Sequence, residues 1–307
     1  MKSNEKMMRE LEKYIQDHCE DERDLEKIGH EFMELYNTHK LPERNLSKEE
    51  QAQELVYELD DCQSEKEYIA LLEKILELDP ENLDALFLSL DVWEDDADEQ
   101  YENLVRLGEK KMKEKGFCNE DSIGHYWGII ETRPFMRIKK AYLEYLMEHG
   151  KFMLALEEAK DMMRLCEHDN LGVRYSLITI YARLQQYEEA KNFFEQWDEP
   201  SAFMYIPMII LNYQMNKREE AIQCYEEFQS YNKNCKKVFK KKGINIKQLE
   251  ASVEAQMYAP FSEEEIYIAL SQNICLLMEN METIMDFFVE HLVKATTSKK
   301  KKKEILH

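Results

Sequence analysis

Glycine and proline are scarce in this chain, eight and six among 307 residues. Punctuation that sparse leaves few turns and suits long helices. Period-2 alternation bounded by turn residues is nearly absent, which argues against a β-sheet. No uninterrupted apolar run approaches membrane-spanning length, so no membrane partner is expected. The opening Met1-Lys2-Ser3-Asn4-Glu5-Lys6 has no apolar signal core. Seven cysteines stand singly, odd in number and without a C-x-x-C pair. That spacing predicts reduced thiols in a cytoplasmic setting, not a disulfide scaffold or a zinc site.

The usual catalytic signatures are missing as well. There is no G-x-x-x-x-G-K-S/T loop, no G-x-S-x-G elbow and no G-x-G-x-x-G turn. In His30-Glu31-Phe32-Met33-Glu34, Glu34 stands where a zincin helix needs its second histidine. The acidic cluster Asp91, Glu94, Asp95, Asp96, Asp98 and Glu99 lacks the glycine turn of a calcium loop. Cys166 and His168, two residues apart, offer no triad. The expectation is a non-enzyme with no catalytic residue, metal or cofactor.

What the chain has in excess is acid. Its formal charge is −22, and residues 1–100 carry 31 acidic against 11 basic groups, while the remainder is near balance. A field of that sign keeps the N-terminal third soluble and discourages nonspecific nucleic-acid binding there. Good helix formers dominate throughout. Ser47, Ser64 and Ser262, each followed three residues later by Glu50, Glu67 or Glu265, read as capping-box helix starts.

A short segment repeats. Gly150-Lys151-Phe152-Met153-Leu154-Ala155 is echoed by Gln185-Gln186-Tyr187-Glu188-Glu189-Ala190 and again by Asn216-Lys217-Arg218-Glu219-Glu220-Ala221. Steps of 35 and 31 residues bracket the tetratricopeptide period, in which helix pairs stack because none can bury its apolar face alone. Ala155, Ala190 and Ala221 fall where two helices of a hairpin would cross closely. A degenerate unit with Tyr68 at the alanine position ends upstream in Leu76-Glu77-Leu78-Asp79-Pro80.

Two further signatures flank the first repeat. One is Thr132-Arg133-Pro134-Phe135-Met136-Arg137, with Pro134 suited to a first helical turn. The other is Asp169-Asn170-Leu171-Gly172-Val173-Arg174-Tyr175, where Asp169 or Asn170 would cap a helix. Together they resemble a group of bacterial tetratricopeptide-repeat proteins and part of the suppression-of-tumorigenicity family, over residues 117–230. The resemblance implies an all-helical repeat fold and an interaction role, and brings no catalytic residues. Cys166-Glu167-His168 departs from the usual turn, and the tail lacks the cysteine cluster that some such proteins carry for zinc.

The expected fold is all-α: a helical-hairpin solenoid with an N-terminal helical region and a C-terminal capping helix. Its expected segments are an acidic helical region at 1–62 and degenerate repeat-like helices at 63–133. Repeats at 134–231, a basic connector with capping helices at 232–294 and a lysine-rich tail at 295–307 follow. First helices of such pairs line a groove, which would present Arg137, Lys140, Glu144, Tyr175, Thr179, Arg183, Phe203 and Tyr213 to a protein or peptide. The third unit's apolar residues read equally well as core. Arg133 and Arg174 read as turn locks paired with Glu131 or Asp169. Lys236, Lys237, Lys240, Lys241 and Lys242 offer a polyanion contact for RNA or DNA, or else a solvated connector. The apolar stripe over 266–293 reads as a cap on the solenoid end, or as a homodimer seam in place of a monomer. Three functions follow: a protein-binding scaffold, a peptide-sensing regulator with an N-terminal output module, or a nucleic-acid-associated protein.

Overall fold

The structure, a computed structural model, describes residues 2–18, 25–42, 44–91, 96–239, 245–253, 257–278 and 280–292. Among these residues there is no β-strand, only an isolated antiparallel bridge between His125 and Cys166. No described helix is long and apolar enough to cross a membrane. The protein is all-α, with neighbouring helices packed in pairs, and its residues fall into two compact units. One of the crossings between them falls inside a helix, at Tyr145/Leu146.

The first unit spans Met1–Tyr145 and Asp161–Asn170. It holds α1 (Lys2–His18), α2 (Leu25–Asn37), α3 (Lys48–Glu58), α4 (Glu65–Leu78), α5 (Leu83–Leu88), α6 (Ala97–Glu114) and most of α7 (Arg133–Glu148). α1 packs on α2 around Tyr14, Ile28 and Phe32; α3 packs on α4 around Val56, Leu72 and Ile75. Ser47 and Glu50 form the expected capping box, and Glu50 also pairs with Lys13 of α1. Gly108 of α6 abuts the Phe135 ring, which an added Cβ would meet at 2.2 Å, so only glycine permits that approach. The segment before α7 is held by Gly124 and Tyr126, whose amides donate to the Leu165 carbonyl at 3.1 and 3.0 Å. Arg133 donates to the Trp127 carbonyl at 2.8 Å and stacks on its indole, so it locks this turn through a carbonyl, not through Glu131.

The second unit spans Leu146–Lys160 and Leu171–His307. It contains the end of α7, most of α8 (Phe152–Leu165), α9 (Val173–Arg183), α10 (Tyr187–Trp197), α11 (Ala202–Gln214) and α12 (Arg218–Tyr231). Short α13 (Cys235–Val238), α14 (Ile246–Val253), α15 (Glu263–Gln272), α16 (Ile274–Leu277) and α17 (Met281–Glu290) complete it. The three echoes close their helices alike. Gly150, Gln185 and Asn216 have φ of 71°, 55° and 58°. In each case the following amide (Lys151, Gln186 or Lys217) reaches back five residues to a carbonyl, at 2.8 to 2.9 Å. This is the Schellman closure, and it places Ala155, Ala190 and Ala221 at zero exposure in the next helix.

Two expectations are corrected here. Gly172, at φ +67° and without a side-chain cap, precedes α9 in place of Asp169 or Asn170. The stripe over 266–293 is not one capping helix but α15, α16 and α17, broken at Asn273 and Asn280. Buried Asn273 donates to the Ala269 carbonyl and accepts from Thr179, a side-chain competition that ends helices.

Candidate functional site

The eight expected groove residues have different fates. Arg137 donates to both oxygens of Asp84, at 2.8 and 2.9 Å, and to Glu5 at 3.0 Å. Those two carboxylate side chains are only 4% exposed. Burial works against the guanidinium charge, but Asp84 and Glu5 outweigh it and raise the Arg137 pKa. Arg137 therefore neutralises an interior pair. Lys140 and Glu144 bond each other at 2.8 Å along α7. Tyr175 donates to Glu199 at 2.6 Å and accepts from Arg174, whose guanidinium stacks over Tyr175 and Trp197. Arg174 also pairs with Glu199 at 2.7 Å.

Thr179 and Phe203 are core, a correction to the groove assignment. Thr179 is 2% exposed and hydrogen-bonds Asn273 at 2.8 Å; Phe203 is 2% exposed and packs against Tyr175 and Tyr258. The physical reason is that α15 and α16 return along the chain to cover α11 and α9. Every residue of α11 from Ala202 to Asn212 is buried, as expected of a helix apolar on all sides. Glu265 of α15 fixes this cover by accepting from the Ala202 amide at 2.8 Å and from the Phe261 amide.

What stays open is a cleft of about 460 Å³ at the ends of α9 and α11. Arg183, Gln185, Tyr213, Gln214, Asn216, Arg218, Cys275, Leu276, Asn280 and Thr283 line it. Leu276 is buried, Tyr213 and Cys275 are half-buried, and both arginines are exposed. Arg183 also stacks over Phe152 at 5.4 Å, and the Tyr213 ring packs tilted against Phe287, with centroids 5.0 Å apart. Burial pushes the Cys275 thiol pKa up, and Arg183 pulls against that rise. The Schellman turns bring Gln185 and Asn216 to the lining. Only Arg183 and Tyr213 had been expected in a site; Gln185 and Asn216 could have been found from their equivalent repeat positions.

The lysine segment is partly engaged. Lys233 donates to the Gln229 and Ser230 carbonyls, and Lys237 pairs with Glu263 at 2.8 Å. Lys236 is exposed. Lys240, Lys241 and Lys242 lie outside the described residues, as does the tail 295–307.

Fold and cleft together define a class: an all-helical protein of packed helix pairs, with a polar, cation-lined cleft at the hairpin ends. No protein-family model, curated protein or solved structure matches the chain.

Proposed function

We propose that the chain is a non-catalytic, cytoplasmic protein-interaction module of the tetratricopeptide-like kind, reading a protein or peptide partner at the Arg183–Arg218 cleft. The single observation behind this is the location of the cleft. The same left-handed turn that closes successive repeats builds its edge, at Gln185 and Asn216. Rigid hairpins present side chains already in place, which reduces the ordering cost of binding. Of the other expected groove positions, Arg137 neutralises an interior pair, Lys140 pairs with Glu144 along α7, and Thr179 and Phe203 are covered. Affinity capture from the host, comparing wild type with Arg183→Glu/Arg218→Glu, tests the reading. Both side chains are exposed, so helical content should be unchanged while a specific partner is lost. Equal recovery of every partner would sink it. A nucleic-acid role through the lysines has less behind it, since Lys237 is neutralised by Glu263.

A further inference from the structure

We propose that the loop Met257–Phe261, with the lysines that follow α12 beside it, inserts into the interface of an anionic lipid bilayer. This goes beyond the cleft and does not depend on it. Met257, Tyr258, Ala259, Pro260 and Phe261 are five consecutive apolar residues, and all five are exposed. Such a run is unfavourable in water unless something covers it. Met257 is 89% exposed and Phe261 43%. The Ser262 amide donates to the Ala259 carbonyl at 3.2 Å, closing a β-turn with Pro260 second and Phe261 third. Phe261 has φ +61°, a third-position value that glycine adopts freely and a bulky residue does not. The turn is nevertheless held from both sides: the Phe261 amide donates to Glu265, and its carbonyl accepts from Asn234 at 2.9 Å. Packing within the chain does not account for a phenylalanine there, since the residue stays exposed. A strained residue fixed by its surroundings points to a functional tip.

The same bonds set what stands beside the tip. Asn232 donates to the Ser262 carbonyl at 3.1 Å, so the segment carrying exposed Lys233 and Lys236 lies against the loop. Lys237 is paired with Glu263 at 2.8 Å, and buried Glu265 accepts from two amides, which leaves Glu264 as the opposing exposed acid among these glutamates. Residues 233–247 hold seven lysines and no acid. The chain's charge of −22 resists an anionic surface, but it resides almost wholly in residues 1–100. An apolar tip with ammonium groups at its side suits the headgroup boundary, where the tip leaves water and the lysines meet anionic lipid. The lack of a membrane-spanning run, which argued against a membrane partner, does not bear on a loop that only enters the interface.

Flotation of the full chain with vesicles reads the site at about 0.1 M salt, using phosphatidylcholine alone or with about 30% phosphatidylserine. Binding to the phosphatidylserine vesicles is expected, and little to phosphatidylcholine alone. Phe261→Gly and Met257→Ser should each weaken it about fivefold, and Lys233→Gln/Lys236→Gln about tenfold. Met153→Ser should leave it unchanged. Met153 is 58% exposed beside Phe152, which meets Arg183 at the end of α9, whereas Tyr258 of the loop packs on Phe203, which meets Tyr175 near the start of α9. Circular dichroism checks that each variant is folded, and Met257→Ser carries the test without touching the turn. Absence of flotation with either vesicle, flotation equal for the two compositions, or flotation indifferent to Met257→Ser overturns the inference. If Met257→Ser instead loses a captured protein while no vesicle binds the wild type, the loop reads a protein surface and the lipid assignment falls.

Discussion

At the scale of single residues, the hairpin turns combine one requirement with three different side chains. Position C′ needs φ near +60°, which glycine adopts without strain and which costs other L-residues roughly 1–2 kcal/mol. Gly150 meets it freely, Asn216 is tolerated, and Gln185 at φ 55° has neither advantage. Gln185→Gly should therefore raise stability by about 0.5–1 kcal/mol after the added unfolded-state entropy is subtracted. Gly150→Ala should do the opposite. Urea unfolding monitored by circular dichroism checks both, and a loss of stability in Gln185→Gly would mean that the side chain supports the turn by contacts outweighing its backbone strain. The turns were legible in the sequence because the alanine five residues on repeats at zero exposure in all three cases. The substitution of glutamine for glycine was legible as letters but not as strain.

At the scale of elements, local signals carried well and long-range ones did not. Ser47, Ser64 and Ser262 each cap the helix that follows, because the serine oxygen and the amide three residues on are fixed by the helix itself. Nothing local tells α15 to lie on α11. Its stripe of Ile266, Leu270 and their neighbours is equally compatible with an end cap, a dimer seam or the cover it forms. The same limitation hid the burial of Thr179 and Phe203, whose partners Asn273 and Tyr258 lie far along the chain. Glu265 is where this cover can be tested. Burial raises its carboxyl pKa, and the Ala202 and Phe261 amides offset only part of that rise. A carboxyl whose folded pKa lies above its unfolded value binds a proton more readily when folded. Its contribution to stability is therefore greatest at low pH and declines as pH rises from the unfolded pKa through the folded one. Glu265→Gln should flatten that part of the stability–pH profile, while Glu265→Ala should cost about 1–3 kcal/mol by leaving two amides unpaired. Denaturant melts from pH 4 to pH 8 read both effects. An unchanged slope in Glu265→Gln would place the titration on another group.

At the scale of the whole molecule, the dominant quantity is the uneven charge. Residues 51–100 carry 17 acidic groups against Lys66 and Lys74 alone, whereas residues after 100 are close to neutral. The half-buried pair Lys6–Glu54 and the exposed pair Lys110–Glu81 offset a few of these acids, and the exposed one is worth little. Self-repulsion of the remaining carboxylates therefore opposes folding of α3, α4 and α5 more than of α11. Salt screens repulsion over about 30 Å at 0.01 M but only about 10 Å at 0.1 M. Raising sodium chloride from 10 to 300 mM should slow amide exchange in α3 and α4 by roughly fivefold, about 1 kcal/mol, and leave the buried amides of α11 nearly unchanged. Exchange that accelerates in α3 and α4 would mean the opposite balance, with Lys13–Glu50 and Lys6–Glu54 holding these helices against a repulsion smaller than the charge count implies.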